Sequence, residues 1–478
     1  MRRRDILKLA ASSAALTKLL DMGCQRRTSA NGVEKNPGLS TSASFDKEAI
    51  AAKVSVDWAR KQAQTTLFTF GSNDYEITNP QAARDRIYQS RLAKLGIGLI
   101  RIHYAQLSDR WTDPATQTWD EAKIKAGYDA SYPRKPTIIQ NIPGWPKWMT
   151  LNQDGLLDSS EYDRYAAFCA ELVEILNHRQ HRHVGYWEPL NEQDVAYQKA
   201  GKLDELWKIY NKVATAMKAK DPSIKVGGPA LTWDEPGRLA AFLQACGPNV
   251  DFISWHRYGS GDAHESTDTL MSYTPKYATQ VHEFREVATQ YIPDRKVPLL
   301  LGEYNINYSW QSGENRQNTH IGAVWFASVL KHLADAGIDM ATSWHLKDGV
   351  YGMIDPQNKL RPAATVFAWG IKYLTGSVMY TETDHPFVEA MAVETADGRR
   401  SLLLINKSAK FASLSVPATQ KASKPQSLPM FYLNANGVKS IIRTTAALEQ
   451  EPLVLTPYSL VLLRFSTNRS PAKQRGIS

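Results

Sequence analysis

Two glutamates stand where acid–base or nucleophilic chemistry is possible, because each follows a short apolar run directly. Glu192 closes the stretch GYWEPLNE and Glu303 closes PLLLGE. A lone Asn-Glu pair is usually a strand end that meets water. Two carboxyl groups about 5 Å apart, one ionised and one protonated, can instead cleave a glycosidic bond with retention of configuration. That chemistry requires a fold that brings the two glutamates together.

Brief apolar runs alternate with longer amphipathic segments from about residue 65 to 375. The amphipathic segments predict helices at 160–179, 203–219, 269–291 and 316–336, the first with Ser160 and Asp163 as a capping box. Continuous apolar strands, each followed by a covering helix, are typical of a parallel sheet buried on both faces. The pattern therefore predicts an α/β fold, a (β/α)8 TIM barrel. The runs predicted as its eight strands are 67–70, 97–103, 136–142, 184–191, 224–228, 250–256, 298–304 and 340–345.

An open, doubly wound sheet is the structural alternative, but no glycine-rich phosphate-binding turn follows the first predicted strand. After about Thr375, short alternating runs separated by Gly, Asn, Asp and Pro predict a C-terminal antiparallel β-sandwich domain. The predicted organisation is an export signal, a flexible linker, the catalytic barrel, the accessory β-sandwich and a basic tail, at residues 1–24, 25–44, 45–375, 376–466 and 467–478.

The formal charge of +9 is concentrated at the two ends of the chain. Residues 1–27 contain seven Lys or Arg against two Asp, and residues 467–478 contain three more basic residues. The body between them is nearly neutral and has no basic stripe interleaved with aromatics. Nucleic-acid binding therefore has little support from the sequence.

The N-terminus has the composition of an export signal, with basic residues before a modest apolar run. Residues 3–8, RRDILK, resemble the twin-arginine pattern, and Lys8 and Lys18 keep the run too polar for a membrane-spanning helix. Cys24 stands where a lipoprotein would be acylated, although Asp21 replaces the usual Leu. We expect an exported protein, periplasmic or extracellular, with membrane attachment only through a lipid at Cys24. Cys169 and Cys246 are predicted to be buried thiols, with a disulfide left open.

Reactive side chains of a (β/α)8 barrel lie at the carboxyl ends of its strands. The predicted strands end in polar and aromatic residues, among them Arg101 and His103, Asn191 and Glu192, His256 and Tyr258, Glu303, and Trp344. We expect these side chains to converge on one rim. Tryptophans near the same rim would offer flat apolar faces to sugar rings, although core packing is the alternative; they are Trp145, Trp148, Trp233, Trp310 and Trp344.

Several segments together resemble clan A of the retaining glycoside hydrolases, and most closely glycoside hydrolase family 39, the β-xylosidase and α-L-iduronidase family. The matching segments are IRIHYAQL, YWEPLNE, DFISWHRYG, LLLGEYN and the terminal LTPYSLVLLRF. They are spread over residues 65–466 in the family's order. The resemblance implies a barrel that carries an accessory β-sandwich and hydrolyses glycosidic bonds by double displacement.

The resemblance also implies a role for each matched residue. Glu192 would be the general acid/base and Glu303 the nucleophile, with a charged Glu303 raising the pKa of Glu192. Asn191 would bind the sugar 2-hydroxyl, while Arg101 and Tyr258 would keep Glu303 ionised. The other implied substrate contacts are His103, His256, Tyr258 and, as a stacking floor, Trp344.

The acid/base segment also differs from the family pattern. Pro189, Leu190 and Gln193 depart from it and should reshape the loop around Glu192. Glu188, four residues before Glu192, is interpreted as an inward carboxylate paired with a basic neighbour.

Three functions are compatible with these sequence features. The first is a retaining O-glycosidase, β-xylosidase-like or a related exo- or endo-enzyme, that acts on cell-wall polysaccharide or exopolysaccharide. The others are a catalytically silent carbohydrate-binding protein and a transglycosylase. The expected partner is an oligo- or polysaccharide, and no metal or cofactor is expected, because no metal-binding HExxH or paired CxxC motif occurs.

Overall fold

The computed structural model describes residues 49–103, 110–133, 135–309, 314–416 and 426–465. These residues belong to one compact unit, Lys47–Ser478. The export signal with Cys24, the linker over 25–44 and the tail over 467–478 lie outside the described residues, so they stay predictions.

A nearly closed parallel barrel forms the larger part of the described chain. The last strand pairs with the first, through Thr342 with Gly71 and Ser343 with Ser72. The fifth position is split into two short strands, one paired with the fourth strand and the other with the sixth. The predicted (β/α)8 barrel is therefore confirmed. Its strands are Gly71–Asp74, Leu99–Ile102, Thr137–Ile142, Tyr186–Pro189, Lys225–Val226 with Gly228–Leu231, Ile253–His256, Leu299–Glu303 and Met340–Ser343.

The first strand differs from its prediction at 67–70. Leu67–Phe70 is a 3₁₀ helix that Thr66 caps, and the strand begins only at Gly71. A Cβ at Gly71 would lie 2.7 Å from the carbonyl oxygen of Ala341. The apolar run therefore packs as a helical turn below the barrel, and the glycine lets the first strand approach the eighth.

Helices cover the barrel between the strands, as the amphipathic pattern predicts. The helix predicted at 160–179 starts with a 3₁₀ turn capped by Asp158 rather than Ser160, and it ends in a π-helical turn, Glu174–Arg179. Cys169 and Cys246 are buried, free thiols. Within the described segments, no helix combines the length and the apolar character needed to cross a membrane. The principal helices are Arg86–Leu95, Glu121–Asp129, Tyr162–Val173, Leu203–Lys220, Pro236–Cys246, Lys276–Tyr291, His320–Asp335 and Pro362–Tyr373.

The C-terminal part forms a separate, mainly antiparallel sheet, which confirms the predicted second β domain. One strand of this sheet comes from the opposite end of the chain, since Ile50–Thr65 pairs antiparallel with Gly376–Thr383. The predicted boundary at residue 45 assigned that segment to the barrel, and the structure corrects this. The other strands are Val388–Glu394, Arg400–Asn406, Ala412–Ser415, Ser427–Asn434, Gly437–Thr444, Leu453–Leu455 and Ser459–Phe465.

A buried ionic cluster joins the barrel to this sheet. Glu389, on a sheet strand, contacts Lys407 and accepts hydrogen bonds from Ser328 at 2.5 Å and His332 at 2.8 Å. Ser328 and His332 lie on the barrel helix His320–Asp335, and Lys407 also donates to Thr274 at 3.0 Å. These partners offset the free-energy cost of burying the Glu389 carboxyl group. Burial alone would raise the pKa of Glu389, but the charges of His332 and Lys407 hold it well below the usual range.

Glu389→Gln should destabilise the fold by about 3–5 kcal/mol, because it leaves the buried Lys407 ammonium without its counter-charge. Urea unfolding at neutral pH measures this change. Glu394→Gln is a matched control on the same strand, since its pair with Arg400 at 2.8 Å is partly exposed and should cost about 1 kcal/mol or less.

The same cluster predicts how stability depends on pH. Because the folded-state pKa of Glu389 is depressed, its stabilisation is fully present above the pKa of the unfolded chain and is lost as the pH falls through the folded value. The gap in stability between wild type and Glu389→Gln should therefore narrow on acidification below about pH 4.5. A gap that stays constant between pH 7 and pH 3 would contradict this account.

Candidate active site

The carboxyl ends of the barrel strands bring the predicted rim residues to one opening. Arg101 lies within the second strand, and Glu192 follows the fourth. His256 and Glu303 are the last residues of the sixth and seventh strands, and Trp344 follows the eighth directly. Parallel strands of a closed barrel end at the same face, so residues remote in sequence become neighbours there.

The two glutamates meet at this opening. A carboxylate oxygen of Glu192, a ring nitrogen of His256 and a carboxylate oxygen of Glu303 all lie within 4.8 Å of one another. The Glu303 side chain is 7% exposed, whereas that of Glu192 is 36% exposed. One carboxyl group therefore lies at the floor of the opening and the other at its wall.

Arg101 is a fully buried hub beneath the two acids. Its Nη1 atom donates to Glu303 Oε1 at 3.0 Å and to Asn73 Oδ1 at 2.9 Å. Its Nη2 atom donates to Asn191 Oδ1 at 2.6 Å, and its Nε atom to Glu188 Oε2 at 2.6 Å. The planar guanidinium thus fixes four side chains, and it leaves the amide nitrogen of Asn191 available to a ligand.

Glu188 faces inward and pairs with a basic neighbour, as predicted, and the neighbour is Arg101. Its Oε2 atom also accepts from Asn141 Nδ2 at 2.8 Å. Asn141 in turn holds His103, with 2.7 Å between its Oδ1 atom and the ring Nδ1 atom. The Nε2 atom of His103 then lies 3.9 Å from Glu303 Oε1. Buried polar contacts therefore fix each side chain around Glu303.

Tyr258 completes the surroundings of Glu303, since its hydroxyl donates to Glu303 Oε2 at 2.9 Å. Each carboxylate oxygen of Glu303 thus has a donor, one from Tyr258 and one from Arg101. The predicted contacts of both residues with Glu303 are present in the structure.

The segment that carries Glu192 has an unusual backbone. Leu190 and Glu192 have φ values of 74° and 53°, which non-glycine residues rarely adopt. The amide of Leu190 donates to the carbonyl of Ile142 at 2.7 Å, and that of Glu192 to the carbonyl of Ala230 at 3.0 Å. Bonds to both neighbouring strands therefore hold a strained turn that directs Glu192 into the opening.

Burial raises the pKa of Glu192 to about 7, and the charge of Asp194 adds to this while Arg101 opposes it. The sequence interpretation assigned the rise to the charge of Glu303. The structure instead gives burial as the main cause, followed by a neighbour two residues along the chain.

Burial also raises the pKa of Glu303, and the nearby Glu192 adds to the rise. His256, Arg101 and Tyr258 oppose it. The contacts that were expected to keep Glu303 ionised are present, but desolvation outweighs them. Because two carboxyl groups this close disfavour double ionisation, the pair tends to share one proton. The donors from Arg101 and Tyr258 favour the ionised form of Glu303.

His256 is fully buried rather than a contact on the rim, which corrects its prediction. Its Nδ1 atom lies 2.7 Å from Glu192 Oε1, and its Nε2 atom lies 3.7 Å from Glu303 Oε1. Burial lowers the pKa of its imidazole, and the nearby charge of Glu303 opposes this. Its hydrogen bond therefore orients Glu192, and its ring lies beside Glu303.

The predicted tryptophans have different surroundings. Trp344 lies beside His103, with ring centroids 5.3 Å apart, and so belongs to the site. Trp145 packs edge-on against Tyr165 and Tyr197, and Trp148 against Phe168. Both are half-buried on the core, which matches the core-packing alternative. Trp310 lies outside the described residues.

Sequence reasoning missed Asn73 and Asn141, which are fully buried in the first and third barrel strands. Each contacts at least one of the residues that hold Glu303. The available signal was an asparagine one residue before the carboxyl end of a strand, and only Asn141 has it in a largely apolar strand, Thr137–Ile142. Such a residue must find polar partners inside the barrel.

The set Glu192, His256 and Glu303 offers three atoms that could reach one metal ion. Its surroundings fit a metal poorly, because the guanidinium of Arg101 already lies 3.0 Å from Glu303. A divalent cation there would face a buried positive charge. The donor set suits proton transfer and nucleophilic attack better than metal binding.

Comparison with known proteins identifies a related family. The family model for glycosyl hydrolases family 39 matches residues 171–357, which include both glutamates. A β-xylosidase from Geobacillus stearothermophilus is 27% identical over 173 residues, or 34% of this chain. The chain spans about a third of that relative's length, 32%. The predicted resemblance to family 39 is thus confirmed.

Solved structures share the fold at low sequence identity. A family 39 β-xylosidase from Caulobacter crescentus has a TM-score of 0.63 and 17% identity, and the match covers 88% of this chain and all of that one (100%). An α-L-arabinofuranosidase from Thermotoga maritima has a TM-score of 0.64 and 14% identity, with coverages of 87% and 99%. These similarities support the architecture of a barrel with a β domain.

Proposed function

We propose that this chain, most like glycoside hydrolase family 39 of clan A, is a retaining O-glycosidase. The observation that carries the proposal is the approach of Glu192 and Glu303 at the barrel mouth, with carboxylate oxygens within 4.8 Å. Retaining enzymes hold their two carboxyl groups about 5–5.5 Å apart, whereas inverting enzymes need about 6.5–9.5 Å to admit a water molecule. The spacing favours double displacement.

In the first step, Glu303 attacks the anomeric carbon and Glu192 gives its proton to the departing oxygen. The glycosidic bond breaks as the bond to Glu303 forms, and the electron pair of the broken bond stays with the leaving oxygen. In the second step, Glu192 takes a proton from water, which attacks the same carbon and releases Glu303. Arg101 and Tyr258 stabilise the carboxylate of Glu303 before the attack and after its release.

Two further groups are placed to bind the reacting sugar. The amide nitrogen of Asn191 can donate to the 2-hydroxyl, a contact that strengthens in the transition state. Trp344, beside His103, offers a flat apolar face beneath the ring. We propose a cell-wall or extracellular oligo- or polysaccharide as the substrate and an exported enzyme.

A panel of aryl glycosides tests the proposal, with xyloside, arabinoside, glucoside, galactoside and uronide beside soluble polysaccharides. NMR should show that the first-formed product keeps the anomeric configuration of its substrate. An inverted product would contradict the mechanism. Binding without turnover across the panel would instead indicate a silent carbohydrate-binding protein.

The pH profile should fall on its alkaline side near pH 7. Glu192 acts as an acid only while protonated, and its pKa is raised to about 7, so kcat/KM should decrease as the pH rises through that value. Asp194→Asn should move this limb to lower pH, because it removes a charge that raises the pKa of Glu192.

Asp163→Asn is the matched control for the pH experiment, since the Asp163 side chain is 84% exposed on an outer helix. Its profile should match the wild type. Thermal melting of both variants checks that they fold, because Asp194 also pairs with Arg238 in the interior. A folded Asp194→Asn protein with an unmoved alkaline limb would refute the assignment of that limb to Glu192.

A further inference from the structure

We propose that Trp233 and Tyr308 form the binding platform for the leaving-group sugar, a subsite distinct from the one that holds the reacting sugar. This inference rests on the proposed glycosidase function and specifies its substrate contacts. The two rings lie 5.0 Å apart between centroids at 69°, so they make an open corner. A pyranose or an aryl group can stack on one ring with its edge toward the other.

The corner is connected to both glutamates through neighbouring residues. The Tyr308 ring is 6.3 Å from the ring of Tyr258, whose hydroxyl donates to Glu303. Trp233 follows Thr232, whose hydroxyl lies 3.5 Å from the carbonyl oxygen of Glu192. The corner is therefore attached to the loops of the fifth to seventh strands, next to the acid.

The direction of the reaction assigns the corner to the leaving group. Glu303 attacks one face of the anomeric carbon, and Glu192 protonates the oxygen that departs on the side of its own carboxyl group. Trp233 follows the fifth strand, and Trp344 and His103 follow the eighth and second strands, which flank the first strand on the opposite side of the barrel. The reacting sugar occupies that side, so the group released by Glu192 meets Trp233 and Tyr308.

Tyr308 is exposed yet fixed, as a stacking surface should be. The residue is 45% exposed. Its amide donates to the carbonyl of Ser260 at 3.0 Å, which ties its backbone to the loop after the sixth strand. A Cβ at Gly261 would lie 1.9 Å from the Tyr308 hydroxyl oxygen, so the ring rests directly on a glycine backbone. A ring held in place loses little conformational entropy when a sugar stacks on it.

A hydrophilic pair borders the corner. Asp234, next to Trp233, pairs with Arg257, and both side chains are partly exposed. Sugar hydroxyls at the edge of a stacked ring need donors and acceptors of this kind. The site therefore fits a pyranose better than a purely apolar group.

The experiment compares Trp233→Ala and Tyr308→Ala with the wild type on a disaccharide and a 2,4-dinitrophenyl glycoside of the sugar that the panel identifies. Each variant should lower kcat/KM for the disaccharide by about tenfold, the loss of one aromatic contact. Each should also lower transfer of the glycosyl group to a sugar acceptor relative to methanol. Inhibition by the free monosaccharide, which binds the reacting-sugar subsite, should change less than twofold.

Three further variants keep the result interpretable. Tyr308→Phe retains the ring and should behave like the wild type, whereas Gly261→Ala should displace the ring and reproduce the Tyr308→Ala effect. Phe411→Ala removes a 43% exposed ring just before the strand Ala412–Ser415 and should change nothing.

The outcomes separate this inference from the proposed function. If inhibition by the monosaccharide weakens as much as kcat/KM for the disaccharide falls, the corner belongs to the reacting-sugar subsite and the inference is overturned. Unchanged disaccharide kinetics in both alanine variants would also overturn it. A wild-type protein that turns over no glycoside would overturn the proposed function and this inference with it.

Discussion

Glu303→Gln should abolish turnover, with kcat reduced at least about 10⁴-fold, because the substitution removes the atom that attacks the anomeric carbon. Binding of the substrate should survive, since glutamine has the same shape and Arg101 keeps its contacts with Glu188 and Asn191. Steady-state kinetics and calorimetric titration with the monosaccharide product measure the two effects separately.

The smaller variant Glu303→Ala gives a stricter test. It opens space for azide, which should restore activity with the 2,4-dinitrophenyl glycoside and yield a glycosyl azide of inverted configuration. Glu283→Gln on the helix Lys276–Tyr291 is a matched control that should leave kcat unchanged. Retention of more than a tenth of wild-type activity by a folded Glu303→Gln protein would show that another group is the nucleophile.

Glu192→Ala should have an effect that depends on the leaving group. Substrates with poor leaving groups need a proton on the departing oxygen and should lose about 10²–10⁴-fold in kcat/KM. A 2,4-dinitrophenyl glycoside needs no such proton in its first step, so its kcat/KM should change little. The alkaline limb near pH 7 should disappear together with the carboxyl group.

Azide distinguishes the two glutamates by stereochemistry. In Glu192→Ala it should intercept the glycosyl-enzyme and give a product of retained configuration, the opposite of the result with Glu303→Ala. Equal losses of kcat/KM for good and poor leaving groups would contradict the role of Glu192 as the acid.

Much of the barrel could be predicted from the sequence because its strands are short and apolar on both faces. The predicted runs at 97–103, 136–142 and 298–304 each contain an observed strand. The prediction of the first strand was wrong because Gly71–Asp74 has little apolar character, whereas the apolar run before it forms a helical turn. A strand made of Gly, Ser, Asn and Asp is recognised only by the neighbours that it pairs with.

The strand Ile50–Thr65 shows a second limit of prediction from sequence, which concerns pairing between distant segments. Its pairing with Gly376–Thr383 joins segments more than 300 residues apart, as the bond from Lys53 to Asp384 with a separation of 331 illustrates. No local periodicity reports such a partner. The segment was assigned to the barrel only because it precedes the barrel strands in the chain. The tertiary structure was needed to correct that assignment.

The sequence by itself determined which residues hold the chemistry, since Arg101, Glu192, His256 and Glu303 all stand at or near predicted strand ends in a barrel pattern. Only the tertiary structure decided their states. It buried His256 behind both acids, made burial the main cause of the raised pKa values of Glu192 and Glu303, and assembled Trp233 and Tyr308 into one corner. The reason is that residue type is local, whereas desolvation, charge proximity and ring contact depend on distances between segments remote along the chain.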